Sequence, residues 1–427
     1  MDNNEKIIVV NESVIARDIQ GKFTLIDRKT GDIYTFNEVM KKIWNHLHKG
    51  TTVNELIDIC SLDNEDKVEQ LMIFLDKLFI TKLISSPNWE YKGEKRFTPQ
   101  NSTYEKICNQ KRVVNRVLIE LTEKCNLRCK HCYIEERKNE FDVSNLNKLL
   151  DELKEIGALT ITYSGGEIFN RDDIFEIIDL TLDKGFIVNI ITNCTLIDEE
   201  IIQKIEDRHI TQIQSSIYGF NEITHDSITR SIGSYDKTIN VLRKLGQQNK
   251  KCVVNYVVFE ENANEIKKTK ELLESINVEM NLDYRIFPTR GGSRDPIKFG
   301  VKMDTLKGLF RDEILERPYD IKCGAGREVL VIKSDGEVYP CEYINFSFGN
   351  IANSSIKEIW NNSKMMKLLE AVKQYNPKEC IGCKYKEYCT RCPAMVWENH
   401  EYKNIKDEIM CIRAKSAYSA AREEGVI

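Results

Sequence analysis

Between residues 114 and 310 the chain repeats one pattern, in which a short apolar run typical of a β-strand precedes a longer helix-like stretch. The strand-like runs are VNRVLIEL, ALTITYS, FIVNIIT, ITQIQSSI, VVNYVVF and LDYRIF, and helix-like stretches cover residues 143–157, 172–185 and 235–249. Alternating strands and helices favour a parallel sheet or a barrel, because parallel neighbours need a crossover connection. The sequence therefore predicts an α/β fold for this region.

Short polar motifs follow four of the predicted strands, at the point where each strand ends. CNLRCKHC (Cys125 to Cys132) follows the first run, SGGE (164–167) the second and TN (192–193) the third, and Ser216 closes the fourth. The carboxyl ends of parallel strands meet at one rim, which is where α/β proteins build their binding sites. We therefore expect the four motifs to lie at one rim.

Cysteine is frequent in this chain, with 14 residues, and most of them fall into two groups. The first group is Cys125, Cys129 and Cys132, and the second comprises Cys323, Cys341, Cys380, Cys383, Cys389, Cys392 and Cys411. The isolated residues are Cys60, Cys108, Cys194 and Cys252, which we interpret as small buried side chains. Clustered thiols in a reducing compartment indicate metal or redox chemistry rather than disulfides.

The first cysteine group leaves two kinds of metal centre open. A structural zinc ion prefers four protein ligands, so it would need a distant fourth residue. An iron–sulfur cubane held by three thiolates instead keeps one iron open to another ligand. Gly165 and Gly166 would let the backbone approach such a ligand, and Glu167 can accept hydrogen bonds from an ammonium group. Taken alone, a GGE sequence would be interpreted as a turn.

The four motifs together resemble those of the radical SAM superfamily, including its CxxxCxxC spacing in CNLRCKHC and a fourth strand end in QSSIYG (214–219). The resemblance implies a partial (β/α)6 barrel in which Cys125, Cys129 and Cys132 hold a [4Fe–4S] cluster. S-adenosylmethionine would bind the open iron through its amino and carboxylate groups. Its one-electron cleavage gives a 5′-deoxyadenosyl radical, which abstracts hydrogen.

The same resemblance implies roles for further residues. Cofactor-binding roles are carried over to Gly165, Gly166, Glu167, Asn193, Ser216 and Arg230, with the first three at the methionine amine and Ser216 near the ribose. The chain departs from the family pattern at Ile168, where Pro is common after GGE, and at Cys194, where Gly is common after TN. These departures concern details of the cofactor pocket.

The cysteine-rich tail resembles the SPASM extension of peptide-modifying members of this superfamily, with GEVYPC as its GxxxxC element. The resemblance implies two auxiliary [4Fe–4S] clusters and hence three clusters in all. The distal one would be held by Cys380, Cys383, Cys389 and Cys411, and the proximal one by Cys323, Cys341 and Cys392. No cysteine occurs in the preceding ERPYDIK, so the proximal cluster has an open iron, or Cys108 or a non-cysteine side chain completes it. A zinc ribbon is the alternative for the tail alone.

The first 86 residues have a different plan, with short strands (VIAR, FTLID, DIYTF) followed by three amphipathic helices. This winged-helix-like module resembles the leader-peptide recognition element of ribosomal peptide maturation systems. An exposed strand edge at Asp32 to Phe36 would capture an extended peptide, and pockets along Val68 to Phe79 would take its side chains. A dimerisation or packing domain is the alternative.

We therefore expect four segments: 1–86, a winged-helix-like leader-recognition domain; 87–112, a linker; 113–312, the radical SAM partial barrel; and 313–427, the SPASM domain. The net charge of −5 and pI near 5.9 give no footprint of nucleic-acid binding. No apolar run is long enough to span a bilayer, and MDNNEKIIVV lacks the features of a signal peptide. A cytoplasmic protein without nucleic-acid or membrane partners is expected.

The function expected from these features is modification of a ribosomally made precursor peptide, by joining cysteine sulfur to carbon as a thioether (the sactipeptide or ranthipeptide type). A flavodoxin- or ferredoxin-type protein would supply the electrons. Carbon–carbon crosslinking, epimerisation and sulfatase-type oxidation remain alternative reactions. A zinc-binding winged-helix regulator is the alternative from another class, although its DNA contacts would need clustered Lys and Arg. No catalytic residue, such as a general base, can be named from the sequence.

Overall fold

The structure is a computed structural model of the chain, and it describes residues 6–19, 21–48, 50–87, 89, 96–312, 323–344, 346–373, 377–389, 392, 394, 397–398, 401–402 and 407–425. It divides into two compact units, Met1–Ile107 and Cys108–Ile427, and this division falls inside the expected linker. Within the described ranges, no helix combines the length and the apolar character that crossing a membrane requires.

The N-terminal unit contains the expected strands and helices. Its strands are β1 (Val9–Val10), β2 (Val14–Ile19), β3 (Lys22–Asp27), β4 (Asp32–Phe36) and β5 (Ile84–Ser85), and its helices are α1 (Glu38–Leu47), α2 (Val53–Ile59) and α3 (Glu65–Ile80). Strands β2, β3 and β4 form an antiparallel sheet in that order, and β1 pairs with β5. Helix α2 begins with a capping box between Thr52 and Glu55, as the sequence predicts.

The expected linker is more ordered than its polar composition suggests. Residues Asn101–Lys111 form helix α4. The Phe97 ring packs edge-on against Phe36 of β4 and Phe74 of α3, with ring centroids 5.2 and 5.8 Å away. The outer edge of β4 is also partly paired: Gln100 N donates to Ile33 O (2.8 Å), and Ile33 N donates to Asn101 Oδ1 (3.0 Å). The expectation of a fully exposed edge at Asp32 to Phe36 is therefore wrong at Ile33.

The second unit confirms the expected α/β fold. Its strands are β6 (Arg116–Thr122), β7 (Thr160–Gly165), β8 (Ile187–Ile191), β9 (Ile210–Ser216), β10 (Cys252–Val257) and β11 (Glu279–Asp283). The helices between and after them are α5 (Leu146–Glu155), α6 (Ile174–Asp183), α7 (Glu199–Glu206), α8 (Glu222–Thr229), α9 (Ser234–Gln247), α10 (Ile266–Ser275) and α11 (Met303–Arg311). These six strands are parallel neighbours in one curved sheet that remains open, in the order β11-β10-β9-β8-β7-β6.

The sixth strand lies earlier in the chain than the apolar run LDYRIF suggests. Strand β11 ends at Asp283, so Arg285 and Phe287 leave the sheet and belong to the loop at its carboxyl end. Since β11 is an edge strand with half-exposed side chains, it contains Glu279, Asn281 and Asp283 and lacks the continuous apolar pattern of the central strands.

The tail continues the barrel sheet. Strand β12 (Val329–Ile332) pairs in parallel with β6, placing Val331 beside Leu118, and forms an antiparallel hairpin with β13 (Val338–Tyr339). The other elements are α12 (Ile356–Trp360), α13 (Ser363–Lys373), β14 (Trp397–Glu398), β15 (Glu401–Tyr402) and α14 (Glu408–Glu423). The alanines of α14, such as Ala417, pack against Phe310 of α11.

Candidate active site

A cavity of about 270 Å³ opens at the carboxyl ends of the parallel strands. Residues from all four sequence motifs line it: Cys125, Cys129, Cys132, Gly165, Gly166, Asn193 and Ser216. The structure thus brings these predicted residues into one cavity, while the roles carried over to them stay predictions. The remaining motif residues, Glu167 and Arg230, lie elsewhere and are described below.

The GGE loop packs directly on the backbone that leads from β6 into the cysteine loop. Gly166 N donates to Thr122 O (2.7 Å), and Glu167 N donates to Lys124 O (2.9 Å). Gly165 has φ +137°, a conformation that side chains rarely allow, and a Cβ on either glycine would collide with backbone atoms of residues 122–124. Both glycines are therefore required by close backbone approach as well as by exposure to the cavity.

Glu167 is fully buried, and its carboxylate is used inside the protein. One oxygen accepts from Thr192 Oγ1 (2.7 Å) and Phe169 N (3.1 Å), and the other accepts from Asn193 N (2.7 Å). Burial raises the pKa of Glu167. The carboxylate therefore ties the second motif to the third, and its expected contact with the methionine amine stays a prediction.

The third motif is stabilised next to the cysteine loop. Asn193 Nδ2 donates to Asn126 Oδ1 (2.9 Å) and lies 3.7 Å from Cys125 Sγ. Cys194 has φ +63°, in the left-handed region, which gives a physical reason why glycine is common at this position. Ile168 begins the short 3-10 turn Ile168–Asn170, at a first position that also suits proline. Cys194 therefore adopts a backbone conformation that glycine usually takes. Ile168 occupies a position that proline could also take.

The sulfur atoms of the cysteine loop receive hydrogen-bond donors. Leu127 N donates to Cys125 Sγ (3.4 Å), and the Arg137 guanidinium lies 4.0 Å from Cys132 Sγ. Burial raises the pKa of Cys125 and raises that of Cys129 to about 12, with negative charge at Cys132 and Cys125 adding to the shift at Cys129. Thiolates at these positions would therefore need a positively charged centre between them, and the nearby donors suit anionic sulfur.

The arrangement of the thiols bears on which metal centre would fit. Among the residues that the structure describes, no three Cys, His, Asp or Glu side chains converge on a position suited to one metal ion. A single zinc ion needs such convergence, with Zn–S distances of about 2.3 Å. Thiolates of a cubane each bind a different iron, so they stand further apart. The loop offers three thiols, which is one fewer than a closed zinc site uses and as many as a cubane with one open iron needs.

Two histidines supply unused polar atoms at the cavity. His131 Nδ1 and His225 Nε2 are buried and have no hydrogen-bond partner within the described part of the chain. Their other nitrogens are engaged, since His131 Nε2 pairs with the Tyr218 hydroxyl (3.3 Å) and His225 Nδ1 accepts from Tyr218 N (3.2 Å). Burial lowers the pKa of each to about 4, so both rings are neutral near pH 7. Unpaired groups of this kind suit a polar cofactor.

The far wall of the cavity was not identified from the sequence. Arg285 and Asp283 form a bidentate ion pair there, with N–O distances of 2.9 and 3.0 Å. The ring of Phe287 stacks on Tyr343 of the tail with centroids 3.6 Å apart, and burial raises the pKa of neighbouring Glu342 to about 7. The run LDYRIF, which contains Arg285 and Phe287, was interpreted as a strand, so the sequence did not indicate that these two residues line a cavity. The only sequence signal for this wall is the position of Tyr343, two residues after GEVYPC.

The cysteines expected to hold the proximal cluster lie within electrostatic range of one another. Burial raises the pKa of the Cys341 thiol, and negative charge at Cys392 and Cys323 raises it further. Cys108, the alternative fourth ligand, is buried in α4. For the distal set, the turn Lys386–Tyr388 precedes Cys389 and packs on α14, whose first turn carries Cys411. The assignment of ligands to the two clusters stays a prediction.

Arg230 is placed outside the first cavity. It caps the carboxyl end of α8 with φ +56° and lines a second cavity, on the outer side of the cysteine loop. Its expected role at the cofactor stays a prediction.

Comparison with known proteins adds sequence and fold relationships. The model of the radical SAM superfamily matches residues 119–273, and that of the SPASM iron–sulfur cluster-binding domain matches residues 323–393. The AdoMet-dependent heme synthase of Methanosarcina barkeri is 27% identical over 333 residues, covering 69% of this chain and 95% of that protein. The subtilosin biosynthesis protein AlbA of Bacillus subtilis is 30% identical over 310 residues, covering 67% of this chain and 69% of AlbA.

A solved structure covers nearly the whole chain. Streptococcus suis SuiB bound to its precursor peptide SuiA superimposes with a TM-score of 0.60, covering 94% of this chain and 99% of SuiB. The two sequences are 16% identical, so this likeness describes a shared fold.

Proposed function

Since the chain belongs to the radical SAM superfamily and carries a SPASM iron–sulfur domain, we propose that it modifies a ribosomally made precursor peptide by forming thioether crosslinks from cysteine sulfur to carbon. AlbA, the relative that is 30% identical, is named for biosynthesis of the bacteriocin subtilosin, and SuiB was solved with a precursor peptide. These relationships favour a peptide substrate.

The observation that carries the proposal is the composition of the first cavity. One side consists of Cys125 and the GGE loop, and the other includes Glu342 and Tyr343, which directly follow Cys341 in the tail. A peptide cysteine held near the tail would therefore lie next to the same cavity in which S-adenosylmethionine is expected to bind. Both partners of a sulfur–carbon bond can be brought together in this arrangement.

We propose that Cys125, Cys129 and Cys132 hold the catalytic [4Fe–4S] cluster and that the tail holds two auxiliary clusters. When bound, these centres supply the one-electron steps: reductive cleavage of S-adenosylmethionine and uptake of the electron released as the thioether forms. The peptide loses one hydrogen atom to the deoxyadenosyl radical, and the thiol loses its proton. The product is therefore two hydrogens lighter for each bond.

The residues of the chain itself would orient the reactants and exclude water. Asn193 and Gly166 fix the cavity beside the cysteine loop, and Leu127, Ile134 and Phe287 give it apolar walls. Dry walls protect a carbon radical from side reactions and strengthen the polar contacts around it. The stacking of Phe287 on Tyr343 holds the tail loop against the barrel.

The direct test incubates a synthetic cysteine-containing candidate precursor peptide anaerobically with the iron-loaded protein, S-adenosylmethionine and dithionite. Mass spectrometry should show loss of two hydrogens for each crosslink and protection of the cysteine from alkylation. A product of unchanged mass, or one in which the cysteine is still alkylated, contradicts the thioether assignment.

A second candidate substrate is a tetrapyrrole, because the heme synthase relative is matched over 95% of its length. The same reaction with an iron-containing tetrapyrrole in place of the peptide separates the two candidates. Conversion of the tetrapyrrole without any change to the peptide would favour this alternative.

For the N-terminal unit we propose binding of the peptide leader at the edge of β4. Ile33 forms its backbone hydrogen bonds outward, with residues 100 and 101. Along an edge strand of an antiparallel sheet, successive N–H groups point alternately to the neighbouring strand and outward. The N–H of Tyr34 therefore points to β3 and that of Thr35 points outward. Beyond Ile33, the edge therefore offers Thr35 for strand addition, beside the apolar side chains of α3.

Thr35→Pro should weaken leader binding, because proline removes the outward N–H. Ala16→Pro is the matched control, since its N–H faces outward on the opposite edge of the same sheet, as judged from the β2–β3 register. Calorimetry with a synthetic leader should show reduced affinity for Thr35→Pro alone. Equal affinities of both variants and the parent protein would argue against the β4 edge.

A further inference from the structure

A second cavity, of about 530 Å³, lies on the outer side of the cysteine loop. Cys129 and Cys132 line this cavity as well as the first one, so only the loop itself separates the two. The proposed cluster would therefore be held between the first cavity and the second one.

The outer cavity is strongly basic in a chain whose net charge is −5. Its cationic side chains are Arg128, Lys130, Arg137, Arg230 and Lys298, and its acidic ones are Glu135 and Asp295. Lys130 is ion-paired with Glu261 (3.0 Å) and Lys298 with Asp295 (3.7 Å), so an excess of two positive charges is left. Arg128 and Arg230 are exposed. This set of five cationic residues is called the basic face below.

The basic face is rigidly connected to the cysteine loop. Arg128 N donates to Thr229 O (3.2 Å) and Lys130 N donates to Ile228 O (2.9 Å), so the end of α8 holds the loop in place. The Arg137 guanidinium donates to Cys125 O (3.0 Å) and lies 4.0 Å from Cys132 Sγ. Positive charge is therefore fixed on the backbone that carries the metal ligands.

We infer that the basic face is the docking surface for an acidic one-electron donor protein of the flavodoxin or ferredoxin type. This inference rests on the proposed function, which needs an electron at the site of Cys125, Cys129 and Cys132. Electron tunnelling weakens steeply with distance, and Cys129 and Cys132 themselves line the cavity that carries the basic face. The donor loses one electron and the protein gains one, and no group or proton has to move between them.

Charge complementarity gives the partner its chemistry. Opposite patches accelerate encounter by about 10- to 1,000-fold at low salt and hold the partners in register. An acidic donor matches the excess positive charge, while the acidic remainder of the chain disfavours other orientations. The first cavity is unsuited to a donor protein, because it has to admit the cofactor and substrate and exclude water.

The test measures binding of a purified flavodoxin to the iron-loaded protein by calorimetry, alongside S-adenosylmethionine cleavage with either flavodoxin or dithionite as the reductant. The variant K298E changes the charge of the basic face by two and lies outside the cysteine loop. The matched control K357E reverses one exposed lysine on α12. K298E should weaken flavodoxin binding about tenfold at low ionic strength, and K357E should leave it unchanged.

Dithionite separates docking from cofactor chemistry, because this small reductant needs no protein interface. Cleavage driven by dithionite should be the same in K298E, K357E and the parent protein, whereas flavodoxin-driven cleavage should fall only in K298E. A parallel fall with dithionite would place Lys298 in the cofactor site and overturn the inference. Unchanged flavodoxin affinity of K298E would also overturn it. A third contrary result would be that K298E weakens binding of the precursor peptide and leaves flavodoxin binding unchanged.

Salt dependence tests the same surface without a substitution. Flavodoxin affinity of the parent protein should fall about tenfold between about 20 and 200 mM salt, since screening shortens the reach of exposed charges. Salt-independent affinity would overturn the inference even if the variant failed to fold. If the parent protein cleaves no S-adenosylmethionine with dithionite, the proposed function fails, and flavodoxin binding still tests the surface.

Discussion

Replacing Gly166 by alanine is expected to displace the start of the cysteine loop. The added Cβ would lie 2.2 Å from the carbonyl oxygen of Lys124 and 2.7 Å from that of Glu123. Ordinary contacts begin at 3.4 Å, so the backbone would have to retreat by about 1.2 Å. Lys124 is bonded directly to Cys125, and therefore the movement is transmitted to a proposed cluster ligand.

Two magnitudes follow from this overlap. Overpacking of a well-filled site costs about 1–3 kcal/mol of folding free energy. A misplacement of about 1 Å in a catalytic centre lowers the rate about 100-fold. Gly166→Ala should therefore lose most of its S-adenosylmethionine cleavage while retaining the overall fold, because the barrel sheet itself is not altered.

The assay is dithionite-driven cleavage of S-adenosylmethionine by the iron-loaded protein, with iron content and thermal unfolding measured on the same samples. Gly308→Ala is the matched control, because Gly308 lies inside α11 and nothing lies within 4 Å of its added Cβ. That substitution should keep full cleavage and stabilise the helix by up to about 1 kcal/mol. Cleavage by Gly166→Ala at the rate of the parent protein would refute the argument from backbone contact.

Two further predictions concern metal content and pH. Joint replacement of Cys125, Cys129 and Cys132 by Ala should abolish cleavage of S-adenosylmethionine. Iron analysis should show a fall from about 12 to about eight irons per chain. Retained cleavage would contradict the cluster assignment. Burial and then the charge of Arg290 lower the pKa of Lys333 to about 8. The unfolded chain holds this proton up to about pH 10.4. The free energy of unfolding should therefore rise between about pH 8 and about pH 10.4, by at most about 3 kcal/mol. Denaturant unfolding of Lys333→Met should lack that rise, and an identical pH profile in both proteins would contradict the burial argument.

The strand-and-helix pattern predicted the parallel sheet, because central strands buried on both faces have continuous apolar runs. It failed at β11, whose edge position leaves polar side chains in the strand. Composition likewise failed at α4, a helix within the segment that was expected to be a linker. The predicted capping box of α2 was correct, because it depends on Thr52 and Glu55 alone.

The candidate site could be predicted in part. Motifs at strand ends identified Cys125, Gly166 and Asn193, since the carboxyl ends of parallel strands converge irrespective of side-chain packing. Sequence could not identify the second wall, because the contact between Phe287 and Tyr343 joins residues separated by more than fifty positions and depends on how the tail packs. It also could not show that the Glu167 carboxylate is engaged by Thr192 and Asn193.

The sequence by itself determined the order of strands and helices and the spacing of the cysteines, because these properties depend on periodicity and on neighbours in the chain. The tertiary structure decided which surfaces those elements share. It added β12 of the tail to the barrel sheet, placed Arg230 on the outer side of the cysteine loop and paired Ile33 with residues 100 and 101. Such contacts join distant parts of the chain, and their geometry follows from packing and hydrogen bonding in the folded state rather than from any local pattern.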